Sequence, residues 1–186
     1  MTLLDDTVTT DTATTAFPPA EPAERLAAAG AAWADRIERN PDAAHLTYTV
    51  TGRGTGSVAS AITAGRHRFE VDEPAALAGD DVAASPVEYA LAALISCQIV
   101  VYRLYAGALG IQLDDIEITA EGDLDARKLF GIDESVRAGF NQVRLAVKLH
   151  GPESAERYET LRETVDAHCP VLDLFANPVP TTVVLG

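Results

Sequence analysis

Hydrophobic residues fall on nearly every face of one stretch, residues 90–104, and follow helical or alternating periods elsewhere. A helix that is apolar all round is either enclosed by protein or spans a membrane. Glu88, Gln98 and Arg103 interrupt the run and keep it short of a bilayer span. The reading is a central helix in a soluble core. Ser85, Pro86 and Glu88 mark its start: a hydroxyl at the cap, a proline at the first helical position, and a carboxylate three residues after the serine, the spacing of a capping box. Gly107 and Gly110 are the stop signals. One sheet covers only one side of such a helix. A second sheet or a second chain must cover the rest, so an obligate homodimer is expected.

Upstream, Leu26, Gly30, Trp33 and Ile37 recur at helical spacing and predict an additional N-terminal helix within residues 23–41, ended by Asn40-Pro41. Residues 1–22 are rich in Thr, Asp, Ala and Pro, have little to bury, and are expected to be disordered. Residues 45–50 alternate apolar and polar. Gly52 to Gly56 read as a tight turn holding Arg53, and residues 57–64 and 67–71 as two further strands of an antiparallel meander. After the helix, residues 112–120 alternate, with an irregularity at Asp114-Asp115. Residues 121–138 read as loop with a short helical turn. Residues 141–150 form the cleanest strand, with Val143, Leu145, Val147 and Leu149 on one side. An amphipathic helix over 153–167, a short helical piece from Pro170 to Phe175 and a last strand over 179–185 complete the pattern. The fold class is α+β, with antiparallel sheets around a long buried helix and residues 42–186 as one domain.

Composition narrows the function. The chain has 186 residues, enough for one domain with a real core. Its formal net charge is -14, which argues against nucleic acid and against adsorption to an anionic membrane. No basic, apolar leader is evident, so a cytoplasmic location is expected. There are two cysteines, Cys97 and Cys169. In a reducing compartment such a pair is either two unrelated buried thiols or a redox or catalytic pair.

The two thiols sit in different settings. Cys97 has Ala93, Leu94, Val100 and Val101 around it on the helix, and apolar surroundings raise a thiol's pKa and make it inert. It is about three turns past the helix start, too far for the helix dipole to help. A cation from elsewhere is needed; Arg53 in its glycine turn is the first candidate, with Arg66 and Arg68 as rivals. Cys169 precedes Pro170, which makes it the N-cap of a short helix and favours its thiolate. Glu88 is both a cap residue and a candidate carboxylate. It lies nine residues before Cys97, on the opposite helix face, and could act there only across a dimer interface. His168 beside Cys169 is either a base or a surface residue, and a Cys–His hydrolase is disfavoured because adjacent extended residues point apart. His45, His67, His150 and His168 show no metal-ligand spacing, and no phosphate-binding glycine motif occurs. No cofactor is expected.

Three pieces together resemble one family. Pro86 to Cys97 looks like a Pro-Glu helix start with a cysteine eleven residues after the proline. Cys169-Pro170-Val171 looks like a second cysteine motif. Arg53-Gly54-Thr55-Gly56-Ser57-Val58 looks like an early arginine turn. In these the chain, from about His45 to Leu185, resembles the OsmC/Ohr family of osmotically inducible and organic hydroperoxide resistance proteins. The resemblance implies an OsmC-like fold, an intertwined homodimer with sites at the interface, and a cysteine-based peroxidase in oxidative-stress defence. Cys97 would be the peroxidatic thiolate activated by Arg53, Cys169 the resolving thiol, an organic hydroperoxide the substrate and a dithiol, often lipoyl-type, the reductant. One position departs from the pattern. The hydroperoxide-resistance branch has glutamate directly after the proline, where this chain has Val87, with Glu88 one step on. This motivates the alternative of a non-catalytic dimeric binding or redox-sensing module.

Overall fold

The structure, a computed structural model, describes residues 22–186. The expected disorder of the N-terminal segment falls outside these residues, except that Pro22 opens the first helix. That helix, α1 (Pro22–Arg39), has the predicted stripe of Leu26, Gly30, Trp33 and Ile37 and lies against the central helix. The Arg36 guanidinium covers the Trp33 ring at 4.7 Å. A single 3-10 turn, Pro41–Ala44, follows, with Pro41 in its first turn.

Strands β1 (Val50–Thr55), β2 (Ala59–Ala64) and β3 (His67–Val71) form the antiparallel meander in that order. Its first strand corrects the sequence reading. Gly52, Arg53 and Gly54 are not a turn; they pair with Ile62, Ala61 and Ser60 inside the ladder. The turn is at Gly56, whose φ of 57° is the left-handed value that glycine tolerates. Gly52 belongs in the strand because a Cβ there would come within 2.9 Å of Ile62 Cδ1. The missing side chain permits close packing here, whereas the pattern of glycines had suggested a reversal.

The acidic connection after β3 folds around Asp72, whose carboxylate oxygen accepts the backbone N–H groups of Asp80 and Val82 at 3.0 and 3.2 Å. It delivers the chain to α2 (Pro86–Ala108), where the capping box is complete. Ser85 and Glu88 satisfy each other's backbone N–H groups, with Glu88 Oε2 accepting from Ser85 N at 2.7 Å. Tyr89 in the first turn ties α2 to the meander. Its ring lies 5.1 Å from that of Phe69, and its hydroxyl donates to the Glu70 carbonyl at 2.8 Å.

The second sheet pairs β4 (Asp115–Leu124) with β5 (Phe140–His150). Its irregularity falls at Asp123/Leu124, not at Asp114-Asp115 as the sequence pattern implied. Asp114 instead continues the edge, its N–H donating to His150 O at 2.8 Å. Two helices close this side: α3 (Ala155–His168), capped by Ser154, and α4 (Pro170–Ala176), with Cys169 between them. Leu161 and Val165 of α3 meet Val101, Tyr102 and Ala106 of α2 in the main core cluster.

Two further expectations change. Within one chain α2 is not enclosed: only Leu94, Gln98, Val101, Tyr102 and Ala106 are buried among its 23 residues, and Val100 and Leu104 stay exposed. The β4–β5 layer, α3 and α4 cover one stripe, and the meander is tied to the first turn. Nor do residues 179–185 form a strand; they join no ladder within the chain, and Val183 and Leu185 are exposed.

Candidate active site

The two cysteines, far apart in sequence at positions 97 and 169, are brought together by the packing of α2 against the α3–α4 junction. Cys97 projects from α2 into the main core cluster, to which Cys169 belongs. Both are free thiols, Cys97 half-buried and Cys169 only 2 % exposed. Cys169 is at once the last cap of α3 and the N-cap of α4, in extended conformation, because Pro170 bars it from the α region.

Three influences act on the Cys97 sulfur. Burial is the largest and pushes its pKa up, the backbone N–H of Val171 acts against this, and the neighbouring Cys169 thiol pushes it up further. The net direction is upward, as the apolar helix face implied. The Val171 contribution was missed in the sequence, though a signal existed. With Pro170 at the first helical position, the next backbone N–H has no partner inside the helix and is free to face a sulfur.

Among the described residues no arginine is among the groups acting on Cys97. Arg53 pairs across β2 with Ala61, which in turn pairs with Glu70, so it shares a sheet face with Glu70 and Arg68. Phe69, which carries the Tyr89 contact, is on the alternate face. Arg53 and Arg68 therefore face away from the chain's own α2, and Arg66 stands in the β2–β3 turn.

Glu88 is held by its cap. The Ser85 hydroxyl, at 2.6 Å, and the Ser85 N–H keep its carboxyl below the usual range. His168 is engaged away from the thiols, with Nδ1 2.7 Å from Thr164 O and its ring 4.7 Å from that of Tyr105. Tyr102, beside the pair in the core, is kept protonated: burial and the nearby Asp166 carboxylate push its pKa up to about 12. Two orphan polar atoms accompany it. Tyr102 Oη and Gln98 Nε2 are buried without a hydrogen-bond partner among the described residues.

A long central helix carrying one cysteine and a second cysteine at a helix junction lie within a known domain. The family model described as OsmC-like protein covers residues 79–184. The chain belongs to the OsmC-like family. Solved structures share this OsmC-like fold at low identity. The OsmC-like protein from Mycoplasma pneumoniae superposes with a TM-score of 0.63 at 16% identity, over 70% of this chain and 88% of that one. The organic hydroperoxide resistance protein OsmC from Legionella pneumophila gives 0.55 at 22%, over 70% and 89%. An organic hydroperoxide resistance protein from Elizabethkingia anophelis gives 0.53 at 23%, over 70% and 88%. No curated protein matches the sequence. The matched family segment begins after the meander, so α1 lies outside it.

Proposed function

We propose that the chain is a two-cysteine peroxidase acting on organic hydroperoxides. The observation that carries this reading is that Cys97 packs against the core cluster that holds Cys169, and these are the only two cysteines in the sequence. The Cys97 thiolate attacks the terminal oxygen of ROOH. The O–O bond breaks, the sulfur becomes a sulfenic acid, and RO⁻ leaves as ROH after taking up a proton. The Cys169 sulfur then displaces hydroxide from the sulfenic acid, which departs as water, and a disulfide remains. An external dithiol reduces it with two electrons and two protons. Cys169 is close enough to resolve Cys97 without long-range movement of either helix.

Activation requires a cation that one chain does not bring to Cys97. A homodimer provides both the cover for α2 and a route for Arg53, or its neighbours Arg66 and Arg68, to reach a cysteine pair from a second copy. Glu88 stands at the start of the same helix and would orient that guanidinium. Net charge fits a protein that binds neither nucleic acid nor an anionic membrane, in a cytoplasmic, reducing setting. The test is consumption of cumene hydroperoxide with dihydrolipoate as reductant. Cys97→Ser abolishes turnover. Cys169→Ser leaves Cys97 as a mixed disulfide with the reductant or, after a second peroxide, over-oxidised, read by intact mass. Absence of turnover in the unaltered protein overturns the reading.

One observation favours the alternative of a non-catalytic binding or redox-sensing module: burial raises the Cys97 pKa and no cation in the chain opposes it. The alkylation rate of Cys97 at neutral pH separates the two. A slow rate, like that of an ordinary buried thiol, supports the module.

A further inference from the structure

Two apolar surfaces of the chain lie open, one toward each end of α2. The first is the tip between β4 and β5, where residues 125–135 turn their polar groups inward. Arg127 Nε donates to Asp125 at 3.0 Å, and its guanidinium also reaches Asp133 at 2.9 Å. Lys128 Nζ donates to Glu134 O at 2.9 Å. The Phe130 and Ile132 N–H groups donate to Ala126 O and Arg127 O at 3.2 and 2.8 Å. The side chains left outside are apolar: Leu129, Phe130 and Ile132 are 66%, 58% and 73% exposed. Such a cluster in water marks an interaction site. A tip already stapled in shape gives up little freedom when it docks.

The second surface is an open groove of about 700 Å³ between α1 and the last turns of α2. Leu26 and Ala31 stand on one wall, Leu104 and Ala108 on the other. Gly30 also lines it, and a Cβ there would meet nothing within 4 Å. Glu24 is its one charged residue among the described residues. Leu104 is at the same time part of the exposed face of α2, so groove and helix face are continuous.

Tip and groove are too far apart to meet within one chain. Ile116, near the start of β4, shares a space with Leu26 and Gly107 at the groove end of the molecule. From Ile116 to Leu124 the strand advances eight residues, about 27 Å, and the tip lies beyond. At that far end Phe140 shares a space with Leu94, about 15 Å along α2 from Leu104. Each chain therefore carries a convex apolar tip at one end of α2 and a concave apolar groove at the other. A two-fold axis that sets two copies of α2 antiparallel brings tip to groove twice, since symmetry repeats every contact.

We propose that the occupant of the α1–α2 groove is the Leu129–Phe130–Ile132 tip of a second copy, with Lys128 beside Glu24 at the rim. This gives α1, which lies outside the matched family segment, a role as one wall of a socket. The proposal rests on the homodimer invoked above and adds which segments meet in it.

The experiment places the photo-cross-linker p-benzoylphenylalanine at position 130 of the full chain, in a mixture of ¹⁵N-labelled and unlabelled protein. Irradiation yields a two-chain product, and mass spectrometry finds heavy–light peptide pairs joining position 130 to residues 22–39 or 104–108. Gly30→Trp fills the groove without a clash in its own chain and cuts the yield several-fold. Phe130→Asp, at an exposed position, raises the dimer dissociation constant about tenfold or more by placing a charge in an apolar socket. Cys97→Ser leaves the yield unchanged, which separates this contact from the peroxidase reading. A protein that sediments at two chain masses yet gives no such product overturns the contact and leaves the homodimer standing; a single chain mass overturns both. Products that map elsewhere, to residues 1–21 or within one chain, or full yield from Gly30→Trp, also overturn the assignment.

Discussion

Asp72 shows how one side chain fixes the approach to the central helix. It is 2 % exposed, and its carboxylate is surrounded by backbone donors. The Glu73 N–H is the largest influence, burial opposes it, and the N–H groups of Val82, Asp80 and Asp81 add to it, with the result that its pKa falls below the ordinary 3.8. The same loop holds Ala78 and Asp81 at φ 64° and 55°, strained values for residues with a Cβ. The cage offsets that strain. A depressed carboxyl pKa contributes stability that is present above the unfolded-state value and is lost as pH falls through the folded-state value. Melting temperature measured against pH should therefore drop below about pH 4 in the unaltered protein. Asp72→Asn should melt lower at pH 7 and show a flatter acid limb; a profile superimposable on the unaltered one refutes the role. At this scale the sequence was readable where partners are local. Ser85, Pro86 and Glu88 declare a cap, and Cys169-Pro170 declares a junction. Apart from the adjacent Glu73, the donors to Asp72 come from Asp80, Asp81 and Val82, beyond an intervening loop, and carry no such signature.

Elements were legible where one periodicity ruled. The strict alternation from Val143 to Leu149 located β5 to within a residue, and the 3.6-residue stripe located α1. Glycine-rich β1 was misplaced, because glycine signals a turn and a close strand approach equally, and only Ile62 opposite decides between them. The irregularity at Asp123/Leu124 was invisible for a like reason: beside it the Phe140 ring packs over Gly122 on the other strand, where a Cβ would come within 2.5 Å of it, and stacks on Phe175 of α4 with centroids 6.4 Å apart. This contact predicts the effect of filling that gap. Gly122→Val places carbon where the Phe140 ring lies, and the ring must leave its stack on Phe175. Overpacking of this kind costs about 1–3 kcal/mol, measurable by urea unfolding, and near-UV circular dichroism should lose part of its aromatic signal. Unchanged stability would mean that Phe140 does not occupy that space. The candidate site followed the same division. Sequence order and motif found both cysteines, but Val171 enters only through the way α4 packs beside α2.

The molecule as a whole is unfinished as a single chain. Its most apolar helix exposes Val87, Val100 and Leu104, its two sheets are separate, and residues 179–185 join no ladder among the described residues. Exposed apolar surface on this scale marks an interaction site, and these pieces are complementary to one another: an open helix face needs a sheet, and a free strand needs an edge. A second copy supplies all of them at once, which is the physical case for the proposed homodimer independent of any relative. The decisive position is Val100, exposed in the chain and on the face of α2 away from the core. In a monomer a charge there is nearly neutral, within about 0.5 kcal/mol. In a dimer closed over α2 the same charge is buried without a partner, and association is lost. Sedimentation of the unaltered protein should give twice the 19.7 kDa chain mass, and Val100→Glu should give one chain mass or insoluble protein. In the proposed dimer Arg53 would reach a cysteine pair across the interface, and on that proposal a folded Val100→Glu monomer should also lose peroxide consumption while both thiols remain present. A dimer undisturbed by Val100→Glu would place the interface elsewhere, and a monomer with full turnover would remove Arg53 from the reaction.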